Sequence, residues 1–172
     1  MIRSLIVIVL ITVLFDNCST DMKKCTSQVA AADIAAVNQV QLAKDVTFID
    51  QYLANLGVTA IKDGSMRYVV TTPGTGKAPC LESTITVTYS GRLMSNGNVF
   101  DSSINPISFG LSQLILGWKL VLPSVTSGAV VTLYIPSGYA YGAVAKPAGP
   151  SGVPIPANSN MIFDITLIDS TN

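Results

Sequence analysis

Thr84-Ile85-Thr86-Val87-Thr88-Tyr89 alternates without a break. Successive side chains of a strand point to opposite faces, so Ile85, Val87 and Tyr89 share one face and the threonines the other. A half-buried β-strand is the reading, and its β-branched content suits a pleated surface. Ser95-Asn96-Gly97-Asn98 then reads as a hairpin turn, since Asn-Gly readily supplies positive φ. Outward from this hairpin the same period returns. Met66 to Thr72 reads as a strand ended by Pro73-Gly74, with Gly74-Thr75-Gly76 as turn material. Val131, Leu133 and Ile135 alternate with Val130, Thr132 and Tyr134. Met161, Phe163, Ile165 and Leu167 face one way, opposite Ile162, Asp164 and Thr166. Leu114 to Leu122, around Gly117-Trp118, is a single short apolar helix candidate among these strands. Several strands and one short helix predict an α+β domain whose sheet wraps its helix to bury one core. There is no internal repeat.

Upstream of Ser65 the period is helical. Ser27 to Lys44 is Ala-rich, with Ile34, Val37, Val40 and Leu42, and predicts a helix of modest amphipathicity. Asp45 reads as the N-cap of a second helix, in which Val46, Ile49, Leu53 and Leu56 recur at three- and four-residue steps. Phe48 and Tyr52 widen that stripe, and Gly57 stands where a left-handed C-cap falls. Packing of the stripe on the neighbouring domain is the expectation; self-association through the Ala-rich stretch is the alternative.

The start of the chain has a different character. Met1-Ile2-Arg3-Ser4 carries one positive charge and precedes an apolar run, Leu5 to Phe15, interrupted only by Thr12. An apolar region of about 7–15 residues suits an export signal, whereas spanning a bilayer takes about 20. Residues 1–17 are therefore read as a signal peptide. Residues 18–64 are a polar tether followed by the N-terminal helical segment, and 65–172 are the main domain. The run ends in Leu14-Phe15-Asp16-Asn17-Cys18, which resembles a bacterial lipobox, with Asn17 where that pattern takes a small residue. The resemblance implies lipidation of Cys18 and a membrane anchor without a spanning helix; ordinary cleavage nearby is the alternative. The expected location is the periplasmic side of the cell envelope, lipid-anchored, or else secreted and soluble. Cys25 and Cys80 remain, and an oxidising compartment permits them to pair or leaves them as two separate thiols.

Composition excludes much chemistry. The 172 residues carry ten Lys+Arg and ten Asp+Glu, so no basic field exists to hold nucleic acid. There is no histidine, which removes His-based metal sites and His-activated nucleophiles. Charged residues make up only 12% and hydrophobic ones 49%, against disorder. Whatever function the chain has must come from apolar surface, backbone groups and few charges.

Val87-Thr88-Tyr89-Ser90-Gly91-Arg92-Leu93, then Gly97, Phe100-Asp101-Ser102-Ser103, Pro106 and Phe109 resemble the first half of an FKBP-type peptidyl-prolyl cis-trans isomerase. The second half follows in order: Leu114-Ile115-Leu116-Gly117-Trp118, Ile135-Pro136, Tyr139-Ala140-Tyr141-Gly142, Ile155-Pro156-Ala157-Asn158-Ser159 and Ile162-Phe163-Asp164. The blocks cover residues 66 to 169. The resemblance implies an antiparallel five- to six-stranded sheet half-wrapped around one short helix, with an aromatic pocket between them. It implies Trp118 as the pocket floor and Tyr89, Phe100 and Phe163 as walls. Asp101 would stand at the edge beside Tyr89, and Tyr141 would project a hydroxyl from the start of a long loop. These six are the catalytic candidates. Ile107, Phe109, Leu114, Ile115 and Ile155 are the substrate-binding candidates, Leu114 and Ile115 at a rim that offers backbone groups to a peptide.

The activity implied is rotation about Xaa-Pro bonds of unfolded or partly folded exported polypeptides, with no cofactor or metal and no covalent chemistry. Tacrolimus or rapamycin would be ligands. Taken singly, each aromatic is better explained as core packing, Asp101 as a turn former and Tyr141 as a hydroxyl satisfied locally. Their joint order along the chain is what carries the pocket. Ile107 departs from the family, since many relatives carry an aromatic there, and the stretch from Gly142 to Asn160 is long. Both features favour the alternative of a proline-segment-binding chaperone or adaptor with little turnover. A structural envelope lipoprotein is the weaker rival.

Overall fold

The computed structural model describes residues 25–171. The expected signal peptide, residues 1–17, and Cys18 lie outside them. In chain order the elements are α1 (Ala31–Ala35), α2 (Gln39–Asn55), β1 (Ile61–Asp63), β2 (Met66–Thr72), β3 (Thr84–Leu93), β4 (Val99–Gly110), α3 (Leu116–Val121), β5 (Val130–Ile135) and β6 (Met161–Thr171). Single 3-10 turns at Leu111–Gln113, Leu122–Ser124 and Ser137–Tyr139 join them.

The six strands form one sheet in the order β1-β2-β5-β6-β3-β4, every pair antiparallel. Alternation decides which side each residue takes. Val131, Leu133 and Ile135 of β5, Ile85 and Val87 of β3, and Ile165 and Leu167 of β6 are all at most 1% exposed. They close on α3, whose Trp118 and Val121 belong to the same core. The architecture is the expected α+β sheet curved around a short helix.

The opposite face of the sheet is covered as well. Ile49 and Leu53 of α2 pack with Tyr134, Ile162 and Met94 in a second core. The striped helix therefore docks on the domain, as its periodicity predicts. A bidentate ion pair fixes the angle: Arg67 on β2 donates from Nε and Nη2 to the two Asp50 oxygens of α2, at 2.7 and 3.0 Å.

Two local expectations need correction. Helix α2 starts at Asn38, whose side chain accepts from the Val40 and Gln41 N–H groups, both at 3.1 Å. Asp45 is thus not an N-cap but a buried residue inside the helix. Strand β1 precedes the change of period at Ser65. Strand β4 is the second arm of the expected hairpin at Ser95–Asn98, an exposed edge that accommodates Pro106 because an edge N–H needs no partner. The other end of α2 obeys its signal. Gly57 takes φ +65°, its N–H bonds Ala54 O, and Val58 N–H bonds Leu53 O, which together satisfy the orphan carbonyls.

Cys25 and Cys80 are joined by a disulfide, with Cα atoms 5.4 Å apart. Beside it, Leu81 N–H bonds Thr26 O at 2.7 Å and Thr26 N–H bonds the Glu82 carboxylate at 2.8 Å. The start of the described chain is thereby stapled to the segment entering β3.

Candidate active site

Five separate parts of the fold deliver side chains to one hollow. Tyr89 comes from β3, Asp101 and Phe109 from β4, Phe163 from β6, Trp118 from α3 with Leu114 and Ile115 just before it, and Tyr141 from the turn after Ser137–Tyr139. Together they line an open cavity of about 130 Å³.

Its inner wall is an edge-to-face ring cluster. Trp118 and Phe163 meet at 5.3 Å between centroids with planes at 87°, and Tyr89 and Trp118 at 5.7 Å and 83°. Such T-shaped pairs satisfy ring quadrupoles and lock orientation. Two glycines permit the approach. A Cβ on Gly91 would fall 2.6 Å from Phe163 Cε1 and 2.9 Å from Phe100 Cζ; one on Gly117 would fall 2.6 Å from Ile135 Cγ2. Glycine at 91 lets the two phenylalanines lie across β3, and glycine at 117 lets α3 settle onto β5 with Trp118 facing in. Sequence patterning singles out neither, because a steric vacancy leaves no periodic mark. The Trp118 Nε1–H is buried without a hydrogen-bond partner among the described residues, which costs about 1–3 kcal/mol.

The polar groups sit at the mouth. Tyr89 donates its hydroxyl proton to Asp101 Oδ2 at 2.7 Å. Burial first, then that hydrogen bond and the Asp101 charge, push the Tyr89 hydroxyl far above its ordinary pKa. Burial, then the Asp101 charge, raise Tyr141 too. Both phenols keep their protons at neutral pH and act as donors rather than bases. Lys146 Nζ lies 5.4 Å from the Tyr141 ring centroid, within cation–π range.

Three candidates stand elsewhere. Phe100 is buried behind Phe163, at 5.6 Å between centroids, and supports the wall from outside the cavity. It contributes instead, with Ile155, Tyr141 and Lys146, to an adjacent hollow of about 250 Å³ under the long loop. That loop is pinned, not loose: Lys146 and Ile155 exchange backbone bonds at 2.8 and 3.0 Å, and Ser151 Oγ donates to Phe100 O at 2.6 Å. Ile107 is 39% exposed, paired in register with Val87, and outside the cavity lining. The register of β4 against β3 shifts between Val87 and Tyr89, so Phe109 and Asp101 form that wall instead.

Comparison with known proteins agrees with this geometry. Residues 76–168 match the sequence family of FKBP-type peptidyl-prolyl cis-trans isomerases. A probable FKBP-type peptidyl-prolyl cis-trans isomerase FkpA of Neisseria meningitidis is 37% identical over 128 residues, 73% of this chain and 44% of that protein. The outer membrane protein MIP of Legionella longbeachae is 34% identical over 131 residues, 73% of this chain and 52% of that protein. The chain thus spans about half the length of these curated relatives. Among solved structures, a peptidyl-prolyl cis-trans isomerase from Pseudomonas syringae superposes with a TM-score of 0.63 at 34% identity, covering 78% of this chain and 96% of that one.

Proposed function

Since the chain belongs to the FKBP-type peptidyl-prolyl cis-trans isomerase family, we propose that its ring-lined cavity accelerates rotation about Xaa-Pro bonds in exported polypeptides. The observation that carries this reading is the cavity itself, lined mostly by aromatic and aliphatic side chains, with the Tyr89–Asp101 hydrogen bond among them.

Rotation about a peptide bond costs about 18–20 kcal/mol because resonance stabilises the planar form. That resonance separates charge between oxygen and nitrogen, which water supports and a ring-lined cavity does not. The twisted amide has less separation to lose. Removing an amide from water without compensation costs about 2–7 kcal/mol, and about 3–4 kcal/mol realised differentially corresponds to two to three orders of magnitude in rate. Proline suits the site because its ring is apolar and its amide has no N–H to satisfy. Trp118, Phe163 and Tyr89 would receive the ring. Asp101, by accepting from Tyr89, leaves no unsatisfied hydroxyl against it. Tyr141 at the mouth and the Ile115 N–H just before α3 are donors for carbonyls of the flanking peptide. No nucleophile is needed, so a chain without histidine is competent for this chemistry.

The export reading extends the proposal to the cell envelope. Its supports are the Leu5–Phe15 run, the Cys25–Cys80 disulfide and a relative named as an outer membrane protein. Lipidation at Cys18 would tether the domain to a membrane, and mass spectrometry of the mature N-terminus tests it. A protease-coupled assay on Xaa-Pro peptides, with tacrolimus as competitor, tests the enzyme. Wild type should exceed the uncatalysed rate and lose it to tacrolimus. Trp118→Ala should fall about tenfold or more and Tyr141→Phe by less. A wild-type rate equal to background would refute the activity.

A further inference from the structure

Asp45 is 3% exposed, yet no cationic side chain pairs with it among the described residues. Its partners are neutral donors. Oδ2 accepts from the Ser137 N–H at 3.0 Å and from Ser137 Oγ at 2.5 Å, and Oδ1 accepts from Gln41 Nε2 at 2.8 Å. Ser137 is fully buried. Three hydrogen bonds thus converge on one carboxyl group, and the two from Ser137 tie α2 to the turn there.

What the tie holds is the segment that carries Tyr141. The Ser137 carbonyl accepts from Ala140 N–H at 3.0 Å and Gly142 N–H at 2.8 Å, the two residues flanking Tyr141. The Gly142 carbonyl in turn accepts from Asn158 N–H at 2.8 Å. Val37, between α1 and α2, presses so close to Gly138 that a Cβ there would overlap its side chain. From α2 to the cavity mouth, the backbone around Tyr141 is thus tied through Ser137, whose N–H is shared between Asp45 Oδ2 and, at 2.9 Å, Asn160 Oδ1, and whose hydroxyl donates to Asp45.

We propose that Asp45 is a positioning residue for the isomerase site: from the N-terminal segment it sets, through Ser137, where the Tyr141 hydroxyl stands over the cavity. The inference rests on the isomerase reading above. It makes the N-terminal segment part of the catalytic unit instead of a tether.

The test is a double-mutant cycle in kcat/KM, run on the full chain with its disulfide intact, at a temperature where circular dichroism finds every variant folded. Asp45→Ala should lower kcat/KM about three- to tenfold in the wild-type background and less than about twofold in a Tyr141→Phe background. Asp45→Asn, which keeps an acceptor for Ser137, should recover most of the loss. If Asp45→Ala does not fold, Ser137→Ala removes the 2.5 Å bond and enters the same cycle with the same expectation. Equal losses in both backgrounds, or no loss in either, would overturn the role of Asp45 while leaving an active enzyme. Absence of any wild-type rate would instead overturn the isomerase reading.

Discussion

Gly91 has a steric reason to be glycine. On β3 its register partner is Phe163, and Phe100 crosses beside it, so a methyl group at this position meets two rings whose neighbours are themselves packed. Overpacking of this kind costs about 1–3 kcal/mol, and here it would tilt Phe163 into the cavity. Gly91→Ala should therefore lower both the melting temperature and kcat/KM, while a remote strand substitution of equal stability cost should lower only the first. A variant with unchanged melting and activity would mean the rings have slack. At this scale the candidate site was largely readable: Tyr89, Trp118, Phe163, Asp101, Phe109, Leu114, Ile115 and Tyr141 do surround one cavity. Phe100, Ile107 and Ile155 stand elsewhere because facing depends on register shifts and loop pinning. Those are three-dimensional offsets of a residue or two, and a residue order does not state them.

Elements were readable in proportion to how asymmetrically they are buried. β3, β5 and β6 alternate because one face is core, and Gly57 ends α2 because only a left-handed residue closes it. β1 and β4 are exposed along most of their length, so no contrast between faces exists to be read. Asp45 was misassigned because a short acidic side chain suits an N-cap and a buried acceptor equally well, and only the fold supplies Ser137 as its donor. The docking of α2 makes its own prediction. Arg67 is 5% exposed and also donates from Nη1 to the Gly64 and Met66 carbonyls, so its fork is committed to this junction. The Arg67 hydrogen bond, more than its charge or that of Lys62, holds the Asp50 carboxyl below its ordinary pKa of 3.8. A depressed carboxylate pKa adds stability above the unfolded value, and that stability is lost as pH falls through the folded one. Asp50→Ala should cost about 1–3 kcal/mol at pH 7, since it strands a buried guanidinium. The difference from wild type should narrow below pH 4, where the wild-type carboxylate itself protonates. A gap constant from pH 7 to pH 2 would show that packing, not the ion pair, sets the cost.

At the scale of the molecule, the chain makes one sheet with two covered faces, and the N-terminal segment supplies the second cover. The Cys25–Cys80 bridge, whose ends are 55 positions apart in sequence, encloses α1, α2, β1 and β2. Closing a loop of that length restricts the unfolded chain by about 4 kcal/mol in the chain-entropy picture. Yet the folded position of α2 has independent supports in Ile49 and Leu53, the Asp50–Arg67 pair and the Asp45–Ser137 tie. Stability and site geometry should therefore separate. Replacing both cysteines by serine should move the urea midpoint down, by about 2–4 kcal/mol in extrapolated stability. Isomerase activity without denaturant should stay within about twofold, because nothing at the cavity mouth depends on the bridge once α2 is seated. The outcome that contradicts this is a stable double-serine protein whose kcat/KM has collapsed. The bridge, and not the carboxylate of α2, would then be what seats the N-terminal segment against Tyr141.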